Sequence, residues 1–374
     1  MFTLSACVGA GTGAGGRAVL VAKSAAVITF KAAGAKQWNP SRSVVVVAED
    51  GKLTSVEVGD AKGHKVPGEF AKHSTVWRST GPVLAFDTKY TMRAEAVDES
   101  GLKVRRSASL RTVAPKNQVY TGITPYGNPT VGVGMPIIVT YDKPVARKAV
   151  AERHLEVTTQ PRTVGSWHWV NDQMVRWRPK TYWQSGTKVT VHSQLAGVQL
   201  GPDTWGNDND TVHFSIGDSQ ISTVDIATHM MTVRRDGQVV RTIPVTTGKP
   251  GWDTRYGIKV IMSKDREVVM DAASIDVDKN DPEYYRLDVE YAMRLTWSGE
   301  YLHAAPWSVA SQGHENVSHG CTGMSQEDAI WLYNSSQIGD VVKYTNGVRS
   351  MEPWNGYTDW NVPWNVWQAG SALH

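Results

Sequence analysis

From residue 25 onward the chain alternates short β-branched and apolar runs with polar, glycine-containing breaks, the period-two pattern of half-buried strands. Over residues 25–116 the runs 43–48, 55–58, 90–97 and 102–110 predict strands, and Glu49-Asp50-Gly51-Lys52 has the composition of a hairpin connection. Their number and spacing predict an immunoglobulin-like sandwich, with no inter-sheet cysteine pair to pin it.

A second stretch, 117–219, enters through the turn-rich Thr124-Pro125-Tyr126-Gly127-Asn128-Pro129 and carries strand patterns at 137–141, Trp167-His168-Trp169, Val175-Arg176-Trp177 and Val189-Thr190-Val191. Tryptophans at period two could form a carbohydrate platform, but the simpler reading is the inward face of a second sandwich. That reading turns His168 the other way, toward solvent. Strand patterning continues over 220–346 through 231–235, the Asp236-Gly237 turn, 239–245, 258–262 and 267–270. The one helical pattern is 325–335, with Ser325 as N-cap, Asp328 three residues on, and Ile330, Trp331 and Tyr333 as the buried face. The last segment, 347–374, sets Trp354, Trp360, Trp364 and Trp367 among glycines and prolines and predicts an irregular extension held by aromatic burial. The chain therefore reads as mainly β: two immunoglobulin-like sandwich domains, a β-rich third domain with one short helix, and a Trp-rich C-terminal extension.

Composition narrows the function without naming it. The 374 residues are enough for about two to four domains. With 41% hydrophobic and 20% charged residues the bulk is globular. No run reaches the roughly 18 consecutive apolar residues of a membrane span. A net charge of +3 is scattered along the chain, which argues against nucleic acid as a partner and leaves room for weak attraction to an anionic cell wall. The two cysteines, Cys7 and Cys321, sit in contexts that argue for separate chemistry. Leu4-Ser5-Ala6-Cys7 resembles the lipobox of bacterial lipoproteins, although a charged and apolar leader is missing ahead of it and a chance string of small residues reads the same way. On the lipobox reading, 1–24 is a truncated lipoprotein signal followed by a tether, with 9–16 its flexible part. Cys7 is then the lipidation site that anchors the protein to the outer face of the cytoplasmic membrane.

The string that carries chemistry is Tyr301-Leu302-His303-Ala304-Ala305-Pro306-Trp307-Ser308 followed by Asn316-Val317-Ser318-His319-Gly320-Cys321. A free thiol with a pKa of about 8.5 is only a small fraction thiolate at neutral pH, so a nucleophilic cysteine needs a nearby base or cation. His303 and His319 are the candidates. Gly320 lets the backbone turn tightly before Cys321 and brings amide N–H groups near an attacked carbonyl. A working dyad of this kind predicts a thiol that titrates well below the free value.

These residues resemble the signature of the YkuD-type L,D-transpeptidases, a histidine followed at a distance by Ser-His-Gly-Cys, and the likeness is strongest to mycobacterial members with two immunoglobulin-like domains. The two sandwiches, the His-x-Ala-Pro-Trp-Ser segment and Asp359-Trp360-Asn361-Val362-Pro363-Trp364 extend it over nearly the whole chain. The resemblance implies that 220–346 is the catalytic domain, with Cys321 as nucleophile, His303 as base and the Ala304 backbone carbonyl orienting the ring. It further implies that His319, Gly320 and Cys321 supply backbone donors and shape to the oxyanion site and that Tyr285, Met270, Ser318 and Trp307 line the substrate pocket. The expected activity is formation of 3→3 peptidoglycan cross-links through a cysteine thioester, with D-alanine released from a tetrapeptide stem and no cofactor. The expected partners are peptidoglycan stem peptides and carbapenems. Gly323 stands where the family often has Asn, which puts side-chain contacts from that position in question.

Three other readings compete. His303, His314, His319 and Cys321 are four zinc-type donors within 19 residues, but one thiol and a single His-x4-His spacing do not complete a usual site, so no metal is expected and His314 reads as a solvated loop residue. Sandwich domains on a lipid anchor could equally be a non-enzymatic cell-wall binding module. Water in place of the acceptor amine would make an L,D-carboxypeptidase.

Overall fold

The computed structural model describes residues 23–373. Cys7 and the expected tether lie outside them. The chain divides into two compact units, Met1–Ala114 and Pro115–His374.

In the first unit, strands Val27–Phe30, Val45–Glu49, Val76–Ser79 and Gly68–Phe70 form one sheet in that spatial order, and Lys52–Asp60, Lys89–Val97 and Lys103–Arg111 form the other. Alternation decides what is inside: Val46, Ala48, Met92, Ala94, Ala96 and Leu110 are buried with Trp77 between the sheets, while their neighbours face water. The Asp50-Gly51 turn is not the expected hairpin. The strand before it pairs in the first sheet and the strand after it pairs with Lys89–Val97 in the second, so the turn carries the chain from one sheet to the other.

The second unit opens with another sandwich. One sheet runs Gly165–Trp169, Met174–Pro179, Ile137–Tyr141, Thr121–Thr124, and the other runs Thr130–Val131, Asn209–Ile216, Lys188–Gln194, Leu155–Gln160. Trp167, Trp169 and Trp177 are all buried in its core, as period two requires. That core continues through Val260, Met262, Val341 and Tyr357, so this sandwich and the following sheets share one apolar interior. His168 does not face solvent. Its Nδ1–H donates to Trp367 O at 2.9 Å and its ring stacks on Trp367 at 4.7 Å, because the C-terminal tail covers this face of the sheet. Arg178 is buried in the same place, its guanidinium 4.7–5.2 Å from the rings of Trp360, Trp364 and Trp367. The tail is partly regular, with a short helix at Trp364–Gln368.

Beyond the sandwich, a six-stranded sheet orders Gln238–Pro244, Met230–Arg235, Gln220–Asp225, Val341–Thr345, Arg255–Val260 and Arg349–Ser350. A four-stranded sheet, Ser263–Asp271, Arg286–Arg294, Tyr301–Ala304 and Thr322–Met324, accompanies it, and Val224, Met231, Ile243, Met293, Leu302 and Met324 belong to the core that joins them. Helix Gln326–Ser335 starts at Ser325, whose Oγ accepts from the Asp328 amide. Its fully buried residues are Ala329 and Leu332, with Ile330, Trp331 and Tyr333 half-buried on the flanks. The unit is mainly β and its helices are short.

Candidate active site

Two strands position the site. Tyr301–Ala304 and Thr322–Met324 run parallel, with His303 opposite Gly323, so the residue just before the second strand, Cys321, emerges near His303. His303 is buried, and its Nδ1–H donates to Ala304 O at 2.8 Å. A carbonyl can only accept, so this bond puts the proton on Nδ1 and leaves a lone pair on Nε2. Burial pushes the ring's pKa down, partly offset by the Ala304 bond, and the imidazole rests neutral.

Gly320 takes φ +122°, a conformation that side chains rarely adopt. Its turn is tied on three sides: Gly320 N donates to Ser318 Oγ at 3.0 Å, Ser318 Oγ donates to Cys321 O at 2.6 Å, and Thr254 Oγ1 donates to Gly320 O at 2.8 Å. The Gly320 amide is thus already committed to Ser318. Upstream, Asn316 Oδ1 accepts from Thr247 N, Thr247 Oγ1 and His229 Nδ1, which fixes the loop to the end of the six-stranded sheet.

Cys321 is the free cysteine among the described residues. Its Sγ points to Gly299 O at 3.6 Å and lies 4.0 Å from Met270 Sδ, and no hydrogen bond joins it to His303 among the described residues. Burial pushes the thiol up to about 12; the Tyr301 amide and Lys259 pull the other way and Glu300 adds to the rise. That direction is opposite to the one a preformed dyad predicts. A neutral, buried imidazole supplies no positive charge to hold a thiolate.

Two cavities meet at the sulfur. One, of about 500 Å³, is polar, with Arg255, Arg294, Asp271 and Glu300 in its wall and Trp252 and Trp297 at its rim. The other, of about 210 Å³, is lined by His303, Trp307, Leu287, Val289 and Val317 and floored by Gly323. Met270, Tyr285, His319 and Cys321 line both. Trp307 is exposed at the mouth of the second, its ring stacked 6.0 Å from that of His303. Gly323 has no room for a side chain: a Cβ there would come within 2.9 Å of Ala305 Cβ and 3.2 Å of Thr246 Cγ2. His314 is exposed on its loop, and among the described residues no group of three or more histidines, cysteines and carboxylates gathers as a metal site.

Residues that sequence reasoning missed stand directly behind the motif. Glu300 is buried and receives Arg255 and the fully buried Lys259, whose ammonium also sits 3.8 Å over the Tyr344 ring. Burial lowers the Lys259 pKa and Glu300 opposes it. Glu283 joins His319 Nε2 at 2.7 Å to Lys249 Nζ at 2.6 Å. Charged residues scattered over fifty positions carry no local pattern, and only the preference of buried charges for partners could have hinted at them.

The sequence comparisons agree with this architecture. The family model of the L,D-transpeptidase catalytic domain (YkuD) matches residues 219–343, and that of a bacterial Ig domain matches residues 35–199. The chain is 37% identical to L,D-transpeptidase 2 of Mycobacterium tuberculosis over 95% of its own length and 86% of that protein's. It is 32% identical to L,D-transpeptidase 5 of the same organism over 92% of its length and 77% of that protein's. Among solved structures it resembles LdtMt1 in complex with imipenem, with TM-score 0.54 and 39% identity over 62% of this chain and all of that one. It also resembles an L,D-transpeptidase from Mycobacterium smegmatis, with TM-score 0.51 and 33% identity over 61% of this chain and 99% of that one. The chain belongs to the YkuD-type L,D-transpeptidase family, with an immunoglobulin-like region ahead of the catalytic domain. It is an L,D-transpeptidase, an enzyme that acts on the cell wall, outside the cytoplasm. Among the described residues no helix is long and apolar enough to cross a membrane.

Proposed function

We propose that this enzyme forms 3→3 cross-links in peptidoglycan, with Cys321 as nucleophile and His303 as the base that serves it. The observation that carries this reading is the His303 Nδ1–Ala304 O bond, which leaves the Nε2 lone pair in the cavity that Cys321 also lines. In the first acyl transfer Sγ leaves Gly299 O and turns to His303, whose Nε2 takes its proton as the sulfur attacks the carbonyl of diaminopimelate in a tetrapeptide stem. The C–N bond to the terminal D-alanine breaks, His303 returns the proton to the leaving amine, and a thioester remains. In the second, the side-chain amine of a neighbouring stem attacks the thioester, a C–N bond replaces the C–S bond, and the amine proton returns through His303 to the sulfur. The Cys321 and His319 amides are the backbone donors proposed for the oxyanion, the Gly320 amide being held by Ser318. Met270, Tyr285 and Trp307 line the approaches and position the stem. No cofactor enters either step.

The same thiol should open carbapenems, as the imipenem complex of LdtMt1 suggests by likeness. We further propose that 25–116 is a spacer, that 117–219 is a second immunoglobulin-like domain joined to the catalytic domain 220–346 through their common core and covered by 347–374, and that lipidation at Cys7 anchors the protein to the membrane. Intact-protein mass spectrometry with a carbapenem and with a disaccharide-tetrapeptide tests the central assignment. One adduct and a cross-linked dimer are expected for the wild type and neither for Cys321→Ala. Turnover retained in Cys321→Ala would remove it.

A further inference from the structure

One carboxylate ties the roof of the site to its floor. Glu283 lies in the segment linking strands Ser263–Asp271 and Arg286–Arg294, and its Oε2 accepts from both Lys249 Nζ at 2.6 Å and His319 Nε2 at 2.7 Å. Both partners belong to the floor. His319 is two residues from Cys321, and the Lys249 amide donates to Ser318 O at 2.9 Å. The His319 ring is wedged between Trp252 and Tyr285, with centroids 4.8 Å from each. Tyr285 and Met270 mark the two ends of the linking segment, and these two, with His319 and Cys321, are the residues common to the polar and the apolar cavity. The cavities are therefore divided where this segment meets the floor, and Glu283 is the ionic contact that holds the two together there.

We propose that Glu283 is a positioning residue whose carboxylate clasps the 272–285 segment to His319 and Lys249, keeping the two cavities as separate approaches to Cys321 and so favouring attack on the thioester by an amine over attack by water. This rests on the reading of Cys321 as the acylated nucleophile. Amine and water compete for one bond. The amine forms C–N and the water C–O, each breaks the same C–S bond, and each returns one proton to the sulfur. What differs is access, since an acceptor stem can be held in one cavity whereas water arrives wherever the cavities merge into open solvent. Lys249 and His319 hold the Glu283 carboxyl below the usual carboxylate range, so the clasp is charged at neutral pH.

The test compares the full-length wild type with Glu283→Ala and Glu283→Gln, using a disaccharide-tetrapeptide as donor and acceptor. Mass spectrometry reads the ratio of cross-linked dimer to hydrolysed tripeptide, and a carbapenem reads acylation separately. Glu283→Ala should raise the hydrolysed share several-fold while acylation by the carbapenem persists. Glu283→Gln should fall between it and the wild type, because an amide oxygen still accepts from His319 but no longer pairs with the Lys249 charge. An unchanged ratio in Glu283→Ala, or a loss of both products in equal proportion, would overturn the clasp. A wild type that gives neither products nor adduct would instead sink the proposed function on which the clasp depends.

Discussion

The resting ionisation of Cys321 makes the sharpest prediction. Desolvation pushes the half-buried thiol up to about 12; a thiol titrating there would be thiolate to the order of 1 part in 10⁵ at pH 7, against about 3% for a free thiol of pKa 8.5. That gap of roughly three orders of magnitude separates two kinds of chemistry that an experiment can tell apart. In one, a preformed thiolate–imidazolium pair waits for substrate; in the other, His303 removes the proton only as the sulfur attacks. The geometry favours the second, since His303 is buried and neutral and Sγ is turned to Gly299 O. The perturbation is His303→Ala, read by two assays on the same protein. Alkylation by iodoacetamide needs no base, so its rate should climb with near unit slope through pH 9 and 10 (about one decade per pH unit) in both wild type and variant. Acylation by a carbapenem uses the base and should fall by about 10² to 10⁴ in the variant, the usual worth of general base catalysis. A wild-type alkylation profile that levels off below about pH 8, and loses that plateau in His303→Ala, would refute the reasoning and establish a preformed ion pair.

Other substitutions probe the frame. Trp367→Ala removes a fully buried indole whose Nε1–H donates to Ser166 O at 2.8 Å, and should cost about 3–5 kcal/mol in denaturant melts. Asp359→Ala strands the buried Arg176 guanidinium, now 3.1 Å from the carboxylate, with a loss of about 3–5 kcal/mol by the same measurement. Ser325→Ala deletes the N-cap of helix Gln326–Ser335 and should cost about 1 kcal/mol. Gly323→Ala forces a methyl against Ala305 and should destabilise by about 1–3 kcal/mol and slow acylation, whereas the exposed His314→Ala should leave acylation unchanged.

What the sequence disclosed and what it hid divide along physical lines. Period-two alternation located Val45–Glu49, Lys89–Val97 and Gly165–Trp169, because each buries one face against a facing sheet. Short strands such as Gly68–Phe70 escaped, being three residues long with little buried. The Asp50-Gly51 turn misled because composition reports that a chain turns and not which strand it then joins. His168 was read as solvent-facing because alternation orients it correctly away from its own core but says nothing of a tail some two hundred residues later that packs on that side. The motif named Cys321 and His303, and the pairing of Tyr301–Ala304 with Thr322–Met324 brings their neighbourhoods together. The motif could not reveal the rotamer of Cys321, its partial burial, or the partners of the charged Lys259, Glu300 and Glu283, all of which arise from long-range packing.

That burial has a consequence for where the enzyme works. Outside the cytoplasm thiols meet oxidising conditions, and a lone cysteine there has no intracellular reductant to restore it. Oxidants and disulfides react with the thiolate, so a catalytic cysteine kept as an ion pair would be consumed in the intervals between substrates. Desolvation is the largest influence on the thiol and favours its protonated form, with Glu300 adding to that effect and Lys259 opposing it. On the proposed roles, reactivity would be conditional: it would appear when a carbonyl occupies the cavity, Sγ turns from Gly299 O to His303, and the backbone donors absorb the developing charge. The cost is that His303, whose own pKa is lowered, would have to take the proton during attack, and the Nδ1–Ala304 O bond keeps its other nitrogen free to do so. A site that works this way would trade a ready nucleophile for a durable one.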